Sequence, residues 1–595
     1  MAAISDVINQ EAFNKNEIEV ITERVDDIAL LIGQMIKMGL QEVLDKHIPK
    51  HWKQRNLSWG WTAVIWLAYI LTEGDHRKVS MEEYVKGMKI TLSQLAGQEI
   101  DPLDFSDDRL SHLLNYLSNR EYWPAIENDL NNRSIEVYEL VTDTVRCDAT
   151  TVSGYHKTKE GGLVQFGHSK DDPTLPQIKL MAGALDPLGM PLASDVVSGE
   201  KADDGLYIPL IDRIISGLNK PGLLFVGDCK MSALDIRAHL VSNHQYYLSP
   251  LPMTGNVVLE MEEWIDMGIV KKREGNLIEV CRENYRGEEV IAARGYEFDR
   301  IQKAQKEGVE IIWTERVQIN NSPAHAKKQI AGLEHRLTSV QQKIEALTPQ
   351  RGRGKRQITD EDALLASITK IIKTHHVEGL LNIKYEKQTE SITKYVGRGK
   401  GSARRKTKTE EKVRYQITAI ERNEEKIAAL KERFGWKAFV TNTSVEQVSL
   451  HDSVLSYRNE YRVERIFNRL KSHFEIAPLY VKKDDQIEGL TYLLMLGVRV
   501  LTLMEFVICR SLQNDDKKLP DMHPENRQKV TDKPSTERIL KAFSGICLTI
   551  IKDTLGNELF RWLTPLSSVQ QEIIQRLNLD VSLYQQLGIK NMESG

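Results

Sequence analysis

A mixed α/β protein is predicted, opening with an all-helical region and carrying an inserted domain within its α/β part. Three observations predict it: a helical period from about Ile21 to Leu117, a change to β-branched runs near Val141, and a second change in composition from about Met253 to Asn442. The chain has 595 residues, more than one hydrophobic core normally serves. Boundaries are read at 1–136 (helical domain), 137–252 (first part of the α/β core), 253–442 (inserted domain), 443–511 (second part of the core) and 512–595 (C-terminal helical region).

In the first region Ile28, Leu31, Ile32, Met35 and Ile36 recur every three or four residues. FSDDRLSHLLNYL then sets Ser106 or Asp107 ahead of a stripe at Leu110, Leu113, Leu114 and Leu117, which predicts a helix start. DTVRCDATTVSG reads as the first strand. LVQFGHS and IKLMAGALDPLGMPLASDVVSG continue the strand pattern, with a turn at Asp186 to Gly189. DDGLYIPLIDRIISGLN is a helix with Asp203 and Asp204 suited to its first turn, GLLFVGDCK a short buried strand, SALDIRAHLVSN a helix and QYYLSPL a strand. The predicted order is β-β-β-α-β-α-β, a mixed sheet with helices on its faces.

The inserted domain mixes strands (EIIWTERVQI, LLNIKYEKQ, KAFVTNT) with charged helices such as AKKQIAGLEHRLTSVQQKIEAL. Its two basic, glycine-containing runs, RGRGKR and VGRGKGSARRKTK, offer what a phosphate backbone needs, several cations on a pliable chain, with Arg404 and Arg405 in the second half of the second. Gly489 to Cys509 is long enough to span a membrane, but Arg499 and Glu505 interrupt it at high cost, so it is read as a buried helix and no membrane partner is expected.

Net charge is −4, so any nucleic-acid surface must be local. Five scattered cysteines without a CxxC pair exclude a disulfide framework and a structural zinc site and fit a reducing cytoplasm. The opening MAAISDVINQEAFNKNEIEV has no basic region followed by an apolar run, so no secretory signal is expected.

Chemistry is sought among the acids. In YRNEYRVERIFNRLKSH, a helical wheel clusters Val463, Ile466, Phe467, Leu470 and Phe474 as a buried stripe and sets Arg458, Arg462, Arg465 and Arg469 on the far side as a basic ridge open to solvent or DNA. Tyr457, Glu464 and Lys471 follow at intervals of seven along the border between the faces, where a solvated charge is the ordinary expectation. Asp148 on the first strand and Asp228 just after the fourth stand where side chains project into a cleft at a sheet edge. Magnesium and manganese prefer hard oxygen ligands, and two-metal phosphoryl transfer needs converging carboxylates, which Asp148, Asp228 and Glu464 would supply. Asp143, Asp171, Asp172, Asp203 and Asp204 are second choices.

With these residues the sequence resembles the DDE transposases of bacterial insertion sequences, in the group marked by YxxRxxxExxxxxxK. Tyr457, Glu464 and Lys471 match that signature, while Glu460 stands in its arginine slot between Arg458 and Arg462. VRCDATTV and LLFVGDCKMS are similar to the family's first and second catalytic blocks, and the helical amino-terminal domain is of a kind found in one branch. The resemblance implies a ribonuclease-H-like core interrupted before its acidic helix, and an enzyme that cleaves and transfers DNA strands at an element's terminal inverted repeats. It also implies two magnesium ions, with manganese able to substitute, target DNA as a second partner, and a homodimer on paired ends in the cytoplasm at the nucleoid. Asp148 would then bridge both ions, Asp228 and Glu464 would each hold one, and Tyr457, Arg458, Arg462 and Lys471 would contact DNA. Trp313 is an expected stacking partner for an unpaired base, against the commoner role of tryptophan in a core. The alternatives are a catalytically inactive DNA-binding or scaffold protein, and a ribonuclease-H-like nuclease that never joins ends.

Overall fold

The computed structural model describes residues 18–50, 57–169, 172–255, 257–284, 287–306, 308–350, 352, 355, 357–396, 406–458, 461–523, 526 and 529–589, with backbone alone at 461 and 462. The chain forms two units. One comprises Met1–Ser249, Lys303–Trp313 and Tyr457–Gly595, the other Pro250–Gln302 and Thr314–Ser456.

In the first unit helices run from Ile28–Lys37 to Trp123–Tyr138. Helix Trp59–Glu73 is apolar nearly all round and is buried accordingly, its first turn closed by Ser58, whose hydroxyl accepts from Trp61 N–H. The leucine stripe of Asp107–Leu117 is buried at all four positions. One element was unforeseen. Ile18–Arg24 is a strand, and it pairs antiparallel with Cys547–Asp553, which pairs with Glu558–Leu563. The C-terminal region, expected to be helical, therefore carries two strands. Alternation in CLTIIKD spans only seven residues, and the strand beside it on one edge comes from the other end of the chain, so no local pattern announces the pairing.

Asp27 is buried just ahead of helix Ile28–Lys37 without a side-chain capping bond, accepts from Thr72 Oγ1 at 2.8 Å, and has its carboxyl pushed up to about 6 by burial. Because the unfolded carboxyl ionises lower, near 3.8, the native state holds the extra proton between the two values, and stability falls as pH rises through that window. Asp27→Asn is expected to remove a slope worth about 3 kcal/mol, read as converging wild-type and variant denaturant midpoints at pH 4 and diverging ones, with the variant the more stable, by pH 6.5.

The sheet of this unit has the order Met190–Ser198, Gln177–Leu185, Thr144–Ser153, Leu224–Gly227, Tyr246–Pro250. The first two pairings are antiparallel and the last two parallel. LVQFGHS contributes one bridge, Gln165 to Gln177, instead of a strand. Helices Tyr207–Leu218 and Leu234–Ser242 make the crossovers, and Tyr207–Leu218 packs on strands Gln177–Leu185 and Met190–Ser198.

Helix Asp484–Asn514 is long and apolar enough to cross a membrane by length and composition, and most of it is buried inside this unit. Its Arg499 is 3% exposed and donates to Asn131 Oδ1 at 2.6 Å and to the Pro191 carbonyl at 2.8 Å, which is how a buried guanidinium is tolerated.

The second unit contains strands Trp436–Thr441 and Ile278–Glu283 and, apart from Lys303–Trp313, the strands Val309–Asn321 and Glu289–Lys306, in the order Trp436–Thr441, Val309–Asn321, Glu289–Lys306, Ile278–Glu283. Helices Pro323–Glu345 and Glu361–Thr374 pack with the hairpin Leu381–Tyr395 and Thr407–Arg422 around a separate core that includes Leu333, Leu337, Val340, Leu364 and Ile427.

Candidate active site

Parallel pairing of Thr144–Ser153 with Leu224–Gly227 sets Cys147 opposite Gly227. One step further, Asp148 and Asp228 stand side by side at the carboxyl end of the short strand, where a parallel sheet opens a crevice. A small cleft there is lined by Arg146, Cys147, Asp148, Gly227, Asp228, Tyr457 and Val463. Both aspartates are half-buried.

Asp228 is held from two sides. Tyr207 Oη donates to its Oδ1 at 2.7 Å and Lys230 N–H to the same oxygen at 2.9 Å. Burial, then the charge of Asp228, raises the Tyr207 hydroxyl well above its usual range, so it stays protonated as a donor. Ala149 N–H donates to Asp148 Oδ1 at 2.7 Å. Burial, then Asp148, pushes the Cys147 thiol up to about 12, which leaves it an inert neighbour. Arg146 is buried against Asp186 at 2.8 Å, so its charge is already matched.

Gly227 is required by close approach. A Cβ there would lie 2.7 Å from Met231 Sδ and 3.3 Å from the Cys147 carbonyl oxygen. Gly227→Ala is expected to cost about 1–3 kcal/mol of stability by overpacking and to displace Asp228, read as a lowered melting temperature.

Glu464 lies on helix Tyr461–Asn468, which passes into a π-helical turn, Arg469–His473, marked by Phe474 N–H bonding Arg469 O at 3.0 Å. The 100° step that aligned Glu464 with Lys471 therefore does not hold past Asn468. The apolar stripe survives intact: Val463, Ile466, Phe467, Leu470 and Phe474 are all buried. Tyr461–Asn468 packs against strand Thr144–Ser153 and places Val463 in the cleft. Glu464, the next residue, is exposed.

The basic ridge is corrected by the packing. Arg465 makes a two-pronged pair with Glu505, and Arg469, 5% exposed, donates to Glu505 at 2.8 Å, Glu537 at 3.2 Å and Thr502 Oγ1 at 2.9 Å. Both are structural ties to helix Asp484–Asn514 and its neighbour Thr536–Lys541. Arg458 and Lys471 are half-buried. The side chain of Arg462 and residues Glu460, Arg404 and Arg405 lie outside the described residues. Trp313 is 7% exposed and donates its indole N–H to Tyr247 Oη at 2.9 Å, the geometry of a core anchor.

The competing acids are engaged elsewhere. Asp143 takes Lys220 at 2.6 Å, Asp203 takes Lys179 at 2.6 Å, Asp204 pairs with Lys230 at 3.5 Å, and Asp172 accepts from Thr174. Asp171 lies outside the described residues. Among the described residues no three His, Cys, Asp or Glu side chains group closely enough to hold one ion, so Asp148 and Asp228 come together and Glu464 stands apart. Two carboxylates in one cleft still fit magnesium, which takes one or two protein carboxylates and completes its shell with water and substrate phosphate.

The family model for the transposase DDE domain matches residues 142–499, a span that holds both aspartates, the inserted unit and Glu464. The chain belongs to the DDE transposases. It is accordingly a transposase, an enzyme acting on DNA, of a family that uses divalent metal ions, and its sheet and helices form a ribonuclease-H-like core. A solved piggyBac transposase synaptic complex with hairpin DNA is similar over 97% of this chain and 89% of that one, at 7% identity and a TM-score of 0.34. No curated protein matches the sequence.

Proposed function

We propose that this DDE transposase cuts DNA at the terminal inverted repeats of its own element and joins the freed ends to target DNA. The observation that carries the reading is the parallel register that sets Asp148 beside Asp228 in one cleft, on a strand against which the Glu464 helix packs. Asp148 and Asp228, joined by Glu464, would hold two magnesium ions, which supply activation of a water or 3′-hydroxyl and charge stabilisation at the leaving oxygen. Tyr457, at the cleft wall, and Lys471 would orient the DNA backbone, with Arg458, Arg462, Arg404 and Arg405 adding phosphate contacts. Two copies would pair the two ends, at the nucleoid.

DNA carrying the sequences that flank the coding region tests this, incubated with the full chain and magnesium. Joined molecules are the expected product. Cut ends without joining would point to a nuclease, and binding without nicking to a DNA-binding scaffold.

A further inference from the structure

We propose that Tyr207 is a positioning residue for Asp228, its hydroxyl fixing Oδ1 so that Oδ2 is the oxygen presented to a divalent ion. The inference rests on the reading of Asp228 as a metal ligand and adds a residue that neither the family signature nor the acid pattern contains. Tyr207 opens helix Tyr207–Leu218, is 1% exposed, and reaches Asp228 at 2.7 Å across 21 residues of chain. Lys230 N–H adds a second donor at 2.9 Å, and both bonds fall on Oδ1.

An aspartate carboxylate has a broad, roughly two-fold terminal torsion, so its oxygens exchange roles unless something distinguishes them. Two donors on one oxygen remove that equivalence and hold the carboxylate plane. The backbone donor sits in the turn that follows the strand and moves with Asp228 itself. The phenol belongs to a different element, seated on strands Gln177–Leu185 and Met190–Ser198, and so refers the carboxylate to the rigid sheet. Groups that orient a ligand in this way typically change metal affinity by about 10–100-fold when removed.

The test is Tyr207→Phe in the full chain, which keeps the ring and deletes only the donor. Manganese binding is followed by electron paramagnetic resonance of the free ion, alongside melting temperature, metal-free binding of end DNA, and cleavage against metal concentration. Half-saturation is expected to rise about tenfold or more, with the melting temperature and metal-free DNA binding held. Tyr138→Phe, which alters a buried hydroxyl bonded to Gln34 at 3.0 Å, is expected to leave the metal curve in place. If Tyr207→Phe does not fold, Tyr207→Met, flexible enough to fill the space, gives the same reading.

A folded Tyr207→Phe or Tyr207→Met protein whose manganese curve overlays the wild type overturns the inference. Asp228→Asn separates the two ideas. If it abolishes manganese binding and cleavage while Tyr207→Phe changes neither, the positioning role alone is lost. If Asp228→Asn keeps both, the ligand reading has failed first.

Discussion

Asp148→Asn and Asp228→Asn, made singly, are expected to lower end cleavage by about a thousandfold or more while binding of end DNA without metal is kept. An amide has the shape of the carboxylate but brings no charge and offers one oxygen instead of two. Losing several kcal/mol of transition-state stabilisation corresponds to about three decades in rate. The two variants differ in their surroundings, which makes the pair informative. In Asp228→Asn an amide oxygen at Oδ1 keeps the bonds from Tyr207 and Lys230, so the fold around it is retained and only the ligand is lost. Asp148→Asn likewise keeps an acceptor for Ala149 N–H. Single-turnover cleavage with magnesium and with manganese, beside gel-shift binding in chelator, makes the measurement. Cleavage within tenfold of wild type for either variant would take that residue out of the site.

The largest stability effect is expected from Glu505→Ala. This carboxylate receives Arg465, Arg469 and Thr536 at once, and Arg469 is buried with hardly any solvent to fall back on. Removing the carboxylate leaves the buried Arg469 with Glu537 as its remaining carboxylate partner and strips Arg465 of this pair, a loss of about 3 kcal/mol, the low end for a broken buried pair. Denaturant unfolding of the first unit measures it. Replacing the cluster as a whole, with Met at 465 and 469 and Leu at 505, is expected to recover much of the loss, because apolar side chains of similar volume need no counter-ion. Cleavage should fall with Glu505→Ala as well, since the same cluster anchors the turn that follows Glu464. If stability is unchanged, the arginines are solvated after all.

The difference between the buried stripe and the basic ridge shows how far a sequence can be read. Val463, Ile466, Phe467, Leu470 and Phe474 were legible because burial repeats at the helical period, and that repeat is local. The fate of Arg465 and Arg469 was not, since their partners lie on helices 33 to 68 residues further on and no spacing relates them. The aspartate-bearing strands are readable, one as a β-branched run with Asp148 inside it and the other as a short apolar run just before Asp228, and the register that makes the acids neighbours is a property of parallel pairing. Tyr207 in DDGLYIPLIDR lies 21 residues from Asp228 with no spacing to relate them, and only the folded chain brings its hydroxyl to that acid. The π turn after Asn468 likewise depends on a backbone bond, Phe474 to Arg469, that no residue pattern announces.

The edge strand Ile18–Arg24 sets a condition on synthesis. Its pairing partner, the strand that starts at Cys547, and the Gly545 N–H that bonds Asp26 lie near the other end of the chain, 519 residues away for that bond, and the Tyr584 hydroxyl that holds the Asp26 carbonyl comes later still. At ordinary elongation rates the wait is roughly 25–100 s, during which a nascent amino-terminal region presents an open β edge. A messenger interrupted between the acidic helix and that hairpin would yield a protein that has the aspartates and Glu464 but whose first strand is unsealed. Aggregation and proteolysis would then select against truncated copies before their chemistry was ever tried.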